Sequence, residues 1–265
     1  SNDITWKSCL RIRESSLSTI YDFDWYPHMN SLYPDTCFFI SCATAQPVHM
    51  WDAFSGQLLH SYDCLDRNSG ELVSCVSSGF NSQGTKIYCG LNRRICVFDT
   101  ERPGHGGSVG EFVCCEKIAR RNYGQTGIIS CFGFTKRDSN LVAAGCYDHT
   151  VGLYDERVGQ LMQLLQGHSQ GVTCLKFSNC GQYLFSACRR SGEMFCWDLR
   201  QLTEPVFSFR LVDDRQVSTN VKVTFDIDPL NKYLVTGNDN GKVSVFDLAQ
   251  MGKKVWEEHV VVSSD

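Results

Sequence analysis

The sequence predicts an all-β protein built as an array of four-stranded units, and three observations support this fold class. An aromatic residue followed by aspartate recurs five times, at Trp51-Asp52, Phe98-Asp99, Tyr154-Asp155, Trp197-Asp198 and Phe246-Asp247. Successive markers are 43 to 56 residues apart, close to the roughly 40–45 residues that four short strands and their turns need. Upstream of each marker, β-branched and aromatic runs alternate with turns rich in Gly, Asn or Asp, which is typical of strands joined by hairpins.

The fourth unit carries the most complete repeat signature. Gly167-His168 begins 30 residues before Trp197, and Asn179-Cys180-Gly181 separates two strand-like segments. This spacing is typical of WD repeats, which form the blades of β-propellers. We therefore predict a single WD-repeat β-propeller domain over residues 1–265, with five complete four-stranded blades at about 19–62, 72–118, 127–165, 171–210 and 221–262.

The array also predicts strands that the sequence does not contain. Residues 8–13 have the pattern of an outer strand whose blade lacks its first three strands. An open array leaves unpaired edge strands, which favour aggregation unless the ring closes or a partner covers them. We expect one or two further blades outside this sequence, and since the chain begins at Ser1 without a methionine, we expect it to be part of a longer product.

The fifteen cysteines predict a reduced, metal-free core. They fall singly into strand-like runs and form no CxxC pair. Free cysteine usually packs as a small buried hydrophobe, so we expect core thiols and neither a zinc site nor a disulfide framework. The adjacent Cys114 and Cys115 should point to opposite faces of a strand. The longest apolar runs have about five residues, far below the roughly 20 of a membrane span.

Catalytic motifs are not evident, and we predict no enzyme activity and no cofactor. The loop Gly104-His105-Gly106-Gly107 lacks the strand-to-helix context of a phosphate site. In WD repeats the GH histidine bonds a Ser or Thr, a turn aspartate and the Trp. We therefore expect structural roles for His168, Trp197, Asp148 and Asp239, with an incomplete network in the fourth blade because its turn, residues 189–192, has no aspartate.

Arginines recur in the turns that should share one face of the propeller. The candidate RNA-binding residues are Arg93, Arg94, Arg120, Arg121, Arg189 and Arg190, with Tyr123, Gln125, Tyr147 and His149 among them. Guanidinium groups pair with phosphates while rings stack on unpaired bases. The formal charge of −4 implies a local patch and not a generally basic surface. Solvated loop arginines or a protein-binding face are the alternatives.

A second motif suggests a different function on the opposite face. Residues 197–200 and 154–157 fit the WDxR pattern that some ubiquitin-ligase substrate receptors use to dock onto their adaptors. The alternative is that Arg157 and Arg200 pair with aspartates of their own blades.

Several segments resemble one family closely. The segments are IYDFDWY (20–26), WDAFSGQL (51–58), TERPG (100–104), GQTGIISC (124–131), GHSQGVT (167–173) and CWDLRQ (196–201). They resemble the telomerase Cajal body proteins, which are seven-bladed WD-repeat proteins, in order along almost the whole chain. Arg93, Arg189 and Arg190 match basic turn positions of that family, whereas the match at Arg120, Arg121 and Tyr123 is only generally basic and polar.

The resemblance implies a non-catalytic scaffold of the nucleus and its Cajal bodies, with some cytoplasmic protein. The implied RNA partners are H/ACA small Cajal body RNAs, bound through their CAB box, and telomerase RNA where it carries one. The implied protein partners are the H/ACA ribonucleoprotein subunits, including the pseudouridine synthase, and no membrane is involved. The family's amino-terminal region, the start of its first blade and its last blade have no counterpart in this sequence.

Overall fold

A computed structural model describes residues 12, 18–66, 68–104, 108–118, 121–136, 140–211, 222–237 and 241–259. Over these residues the chain forms five four-stranded antiparallel sheets and one two-stranded sheet, which confirms the predicted all-β propeller fold. The helical content of this part is one short 3₁₀ turn at Pro34–Thr36. No helix there is long and apolar enough to cross a membrane.

Each four-stranded sheet follows chain order from its inner to its outer strand. The first contains β1 (Ile20–Trp25), β2 (Phe38–Ala43), β3 (Val48–Asp52) and β4 (Leu58–Tyr62), and the second contains β5 (Ser77–Phe80), β6 (Lys86–Leu91), β7 (Arg94–Asp99) and β8 (Ser108–Val113). A separate hairpin of β9 (Cys115–Ile118) and β10 (Arg121–Gly124) follows. The third sheet contains β11 (Ile129–Phe134), β12 (Leu141–Cys146), β13 (Val151–Asp155) and β14 (Gln160–Leu165). The fourth contains β15 (Val172–Phe177), β16 (Tyr183–Cys188), β17 (Glu193–Asp198) and β18 (Phe207–Arg210), and the fifth contains β19 (Phe225–Ile227), β20 (Tyr233–Gly237), β21 (Lys242–Asp247) and β22 (Lys253–His259).

The second repeat is followed by a hairpin that its sequence pattern does not predict. Its strands begin at Ser77 and end at Val113, inside the expected 72–118. The β9–β10 hairpin was not predicted, because the arginine-rich segment between Cys115 and Gly124 lacks the alternation of apolar and polar residues on which strand prediction depends. Of the expected extra outer strand at residues 8–13, all but Ile12 lies outside the described residues.

The aromatic-aspartate markers end the third strand of every sheet for a packing reason. Tyr154 and Phe98 are fully buried and Trp197 is 1% exposed, so these rings fill the space between neighbouring sheets. The aspartate that follows then accepts hydrogen bonds from the next turn. The Asp198 carboxylate, for example, accepts the backbone N–H of Arg200 at 3.0 Å.

Most of the cysteines line the core as buried thiols, and in the first core cluster Cys64 contacts Cys75, Cys89 and Cys96. All those in the described part of the chain are free, and most are buried. One hydrophobic cluster joins the first two sheets around Ile40, Ile87 and Cys89, and others follow between successive sheets. Cys114 is buried and Cys115 is half-buried, as expected for neighbours that point to opposite sides.

Two sets of loops lie on opposite faces of the sheets. The turns between the second and third strands of a sheet hydrogen-bond to the connections between sheets: the backbone N–H of Arg93 bonds the Gly127 carbonyl, and that of Arg189 bonds the Gly171 carbonyl, each at 2.9 Å. We call the face formed by these turns and connections the turn face. The remaining loops, including both WDxR motifs, lie at the other ends of the strands.

Candidate nucleic-acid interface

The turn face carries three of the predicted arginines, on the second and fourth blades. Arg93 occupies the turn of the second sheet, and Arg189 and Arg190 occupy the turn of the fourth. The Arg93 Nε donates a hydrogen bond to the Thr126 carbonyl at 2.9 Å. Since Thr126 lies in the connection that leads into the third sheet, this bond links the second and third blades. The guanidinium is held at Nε and stays exposed.

Arg189 is held by an aromatic ring of the neighbouring blade. Its guanidinium carbon lies 4.5 Å from the centroid of the Tyr147 ring, within the range of a cation–π contact. Gly171 makes this approach possible, because a Cβ there would lie 2.9 Å from Tyr147 Cδ1 and 3.3 Å from Arg189 Nε. The contact orients a cation and a ring together at the junction of the third and fourth blades.

The turns themselves adopt a strained backbone conformation. Arg93, His149 and Arg190 have φ values of 59°, 73° and 64° in the turns of three successive sheets. Tight hairpin turns require positive φ and normally use Gly, Asn or Asp, because other residues cost of order 1–3 kcal/mol there. Long polar side chains are retained at these positions despite that cost, and His149 and Arg190 are exposed. Ala45 has the same conformation, with φ 54°, in the turn of the first sheet, so the conformation belongs to the repeat, and the long polar side chain is what distinguishes the next three turns.

Arg94 does not belong to the exposed set. Its Nε lies 3.2 Å from the Glu111 carboxylate of the outer strand, and its guanidinium also donates to the Leu65 carbonyl at 2.9 Å. The side chain is only 15% exposed. The expectation that Arg94 contacts RNA is therefore corrected: this arginine joins strands of its own sheet to the preceding connection.

Gln125 is likewise a core residue and not an RNA contact. It is fully buried. Its Nε2 donates to the Ala144 carbonyl at 2.9 Å and to Thr150 at 3.3 Å, and its Oε1 accepts the Tyr154 hydroxyl at 2.7 Å. Gln125 thus takes the place of the missing GH histidine of the third blade. The turn aspartate completes this network, since Asp148 accepts the Thr150 hydroxyl at 2.6 Å and the Thr126 backbone N–H.

The remaining candidates lie elsewhere or outside the described residues. Tyr123 is 57% exposed on the β9–β10 hairpin, in a groove with Val113, Val158 and Gly159 at the outer edge between the second and third blades. Arg121 belongs to β10 by its backbone. Arg120, and the predicted structural residue Asp239, lie outside the described residues.

The fourth blade has a more complete network than its sequence predicts. His168 Nε2 lies 2.7 Å from the Ser186 hydroxyl, which also accepts the Trp197 indole N–H at 2.8 Å. Burial lowers the pKa of His168 to about 4, so the ring is neutral at physiological pH. Glu193 takes the part of the missing turn aspartate, because its Oε2 accepts the Ser169 backbone N–H at 3.2 Å and hydroxyl at 2.9 Å. The carboxylate of this network is therefore supplied by β17 and not by the turn, while His168 Nδ1 has no hydrogen-bond partner in the described part of the chain.

Residues 167–171 also match the Gly-x-Ser-x-Gly pattern of a hydrolase nucleophile elbow, which sequence reasoning overlooked. That motif requires a turn from a strand into a helix, whereas this segment connects β14 to β15. The Ser169 hydroxyl donates to Glu193, and His168 contacts Ser186 instead of Ser169. The serine is therefore part of the structural network.

The two WDxR arginines pair with aspartates of their own motifs. Arg200 contacts both carboxylate oxygens of Asp198, at 2.9 and 2.6 Å, and Arg157 contacts both of Asp155, at 3.1 and 2.7 Å. The hydrogen bonds from Arg200 lower the pKa of Asp198 to about 2. Both arginines lie on the face opposite the turn face.

Comparison with known proteins agrees with the fold. The family model described as "WD domain, G-beta repeat" matches residues 159–198, which end at the Trp197-Asp198 marker. A chain of the "Crystal Structure of Mitotic Checkpoint Complex" superposes with a TM-score of 0.64 at 18% identity, over 89% of this chain and 64% of that chain. This likeness concerns the fold alone. Together with the strand architecture, the family model defines the chain as a WD-repeat β-propeller protein.

The alignments to curated proteins point to a narrower group than the fold does. The chain is 40% identical over 246 residues to "Telomerase Cajal body protein 1" of Bos taurus, 40% identical over 234 residues to the Homo sapiens protein of that name, and 33% identical over 240 residues to the Drosophila melanogaster homolog. These alignments cover 86–92% of this chain but 40–43% of the relatives. The resemblance found in the sequence is confirmed, and the chain spans about two fifths of the length of these relatives.

Proposed function

We propose that this chain is the RNA-binding part of a nuclear scaffold that recognises the CAB box of H/ACA small Cajal body RNAs and directs these ribonucleoproteins to Cajal bodies. Telomerase RNA is a further client where it carries the same box. The observation that carries the proposal is the arginine and tyrosine array of the turn face, on a chain similar to proteins named for telomerase and Cajal bodies.

In the proposed mechanism, arginine side chains bind phosphates and a tyrosine ring stacks on a base. Arg93 and Arg190 reach outward from strained turns, where their guanidinium groups pair with phosphates of a looped single strand. Tyr147, backed by Arg189, offers a ring on which an unpaired base stacks, a contact worth about 1–3 kcal/mol per base. Other surfaces of the propeller hold the protein partners, the H/ACA ribonucleoprotein subunits and their pseudouridine synthase.

The experiment is a salt titration of RNA affinity by fluorescence anisotropy. The probe is an RNA hairpin whose terminal loop carries the CAB box, compared with the same hairpin after the box is replaced. The double variant Arg93→Ala/Arg190→Ala should bind more weakly and reduce the slope of log affinity against log salt by about 1–2 units, since it removes two phosphate contacts and each contact to a single strand contributes about 0.7. The matched control is Arg157→Ala/Arg200→Ala, which removes the same charge from the opposite face and should leave the slope unchanged.

Two outcomes would contradict this proposal. Equal affinity for both hairpins would rule out base recognition, and an equal loss of slope in the two double variants would rule out a special role for the turn face. In nuclei, crosslinking followed by sequencing of the attached RNA should recover H/ACA RNAs. Recovery of no RNA, together with a cullin adaptor that co-purifies, would instead support a ubiquitin-ligase receptor.

A further inference from the structure

The fourth blade brings together three side chains that commonly bind metal ions. One ring nitrogen of His168, the Cys188 Sγ and a carboxylate oxygen of Glu193 all lie within 4.8 Å of one another. His168 comes from the connection before β15, whereas Cys188 ends β16 and Glu193 begins β17. These last two residues flank the turn that carries Arg189 and Arg190. We propose that His168, Cys188 and Glu193 form a binding site for one zinc ion on the turn face.

An unpartnered buried atom supports the site independently of this clustering. His168 is 6% exposed, and its Nε2 is engaged by Ser186. Its Nδ1 is buried with no hydrogen-bond partner in the described part of the chain. A buried ring nitrogen left unsatisfied destabilises the fold. Because the ring is neutral, that nitrogen can offer a lone pair to a cation once Nε2 carries the proton.

The ligand set and spacing suit zinc. Imidazole nitrogen, thiolate and carboxylate are its usual protein ligands, at about 2.0–2.3 Å from the metal. In tetrahedral geometry these bond lengths separate sulfur from oxygen by about 3.6 Å, and Cys188 Sγ lies 3.9 Å from Glu193 Oε2. Closing this pair around an ion requires a shift of only a few tenths of an ångström. The Ser191 hydroxyl, 3.0 Å from Cys188 Sγ, or a water can fill the fourth position, and the thiol proton leaves to solvent when the metal binds.

The third blade shows what the same network looks like without a metal site. There Gln125 replaces the histidine, and its amide satisfies its neighbours with both its oxygen and its nitrogen. The carboxylate of Asp148 is saturated by Thr126 and Thr150. The zinc proposal therefore concerns the fourth blade specifically, and it revises the expectation from the sequence that the chain has no metal site. It does not depend on RNA binding.

The test is cobalt spectroscopy on the full chain, purified metal-free under a reductant. Co²⁺ should bind with one equivalent, produce a thiolate-to-cobalt charge-transfer band in the near ultraviolet, and be displaced by Zn²⁺. Cys188→Ser should abolish the band. His168→Gln, the residue that the third blade uses, should keep the fold and weaken binding by more than about 100-fold, since loss of even an outer-shell partner costs about 10–100-fold. The control is Cys180→Ser, which removes an exposed thiol and should leave the band intact.

The cobalt titration can also overturn the proposed zinc site. Absence of a thiolate band in the wild-type chain would overturn the proposal, as would a band of equal intensity and affinity in Cys188→Ser or His168→Gln. Thermal unfolding checks that the variants are folded. It also supplies a second readout, because Zn²⁺ should raise the Tm of the wild-type chain and leave that of folded His168→Gln unchanged.

Discussion

Replacing Gln125 by alanine tests whether this residue is the core substitute for a WD-repeat histidine. The variant removes the acceptor of the Tyr154 hydroxyl and the donor to the Ala144 carbonyl, and both Gln125 and Tyr154 are fully buried. Each buried polar group left unsatisfied costs about 1–3 kcal/mol. With one or two such groups, we expect the free energy of unfolding to fall by about 2–4 kcal/mol.

The assay is urea unfolding followed by tryptophan fluorescence, with thermal melts as a check. A loss of this size lowers the Tm of a domain of this size by about 5–15 °C. Gln125→His restores the residue type that His168 supplies in the fourth blade, so it should lose less than half as much. Tyr123→Ala, an exposed neighbour, should stay within about 0.5 kcal/mol. A loss below about 0.5 kcal/mol for Gln125→Ala, or equal losses for the alanine and histidine variants, would refute the reasoning.

Two further predictions concern buried charge. Burial raises the pKa of the Asp24 carboxyl to about 6, from an ordinary value near 3.9. The folded state therefore binds this proton more tightly than the unfolded state does. The stability that the protonated carboxyl contributes is lost as the pH rises from about 4 to about 6. The free energy of unfolding of Asp24→Asn should therefore rise by about 1–3 kcal/mol relative to wild type as the pH goes from 4 to 7. The exposed control Asp226→Asn should show no such relative gain. Parallel stability-against-pH curves for Asp24→Asn and wild type would contradict this prediction. Arg94→Ala should lower the free energy of unfolding by about 1–3 kcal/mol, because the Glu111 carboxylate loses its half-buried partner. The RNA affinity of the folded variant should stay unchanged. A clear loss of affinity would show that Arg94 contacts RNA after all.

The repeat architecture could be predicted from the sequence because its signals are local. The aromatic-aspartate markers fill the gap between sheets and cap the next turn, so each one identifies the end of a third strand. The β9–β10 hairpin carries no such marker and no alternation, and it was missed for that reason.

The site was harder to predict because it depends on substitutions between residues of different type. Glutamine can replace histidine at position 125 since both can donate and accept hydrogen bonds, but the repeat pattern does not identify it. Glu193 was missed because its carboxylate reaches the same network from β17, beyond the turn. Arg93 and Arg94 are adjacent in sequence, yet Arg93 is exposed in the turn whereas Arg94 pairs with Glu111. This difference depends on where β7 begins, which the structure shows and the sequence pattern does not.

The most direct test of RNA recognition by the turn face is a crosslinking map. The full chain is mixed with the CAB-box hairpin, irradiated with ultraviolet light and digested, and the peptides that carry nucleotides are identified by mass spectrometry. We predict crosslinks in peptides that contain the turns at Arg93, Tyr147 and Arg189, lost when unlabelled hairpin competes. Crosslinks confined to the opposite loops, such as those at Arg157 and Arg200, would contradict the account.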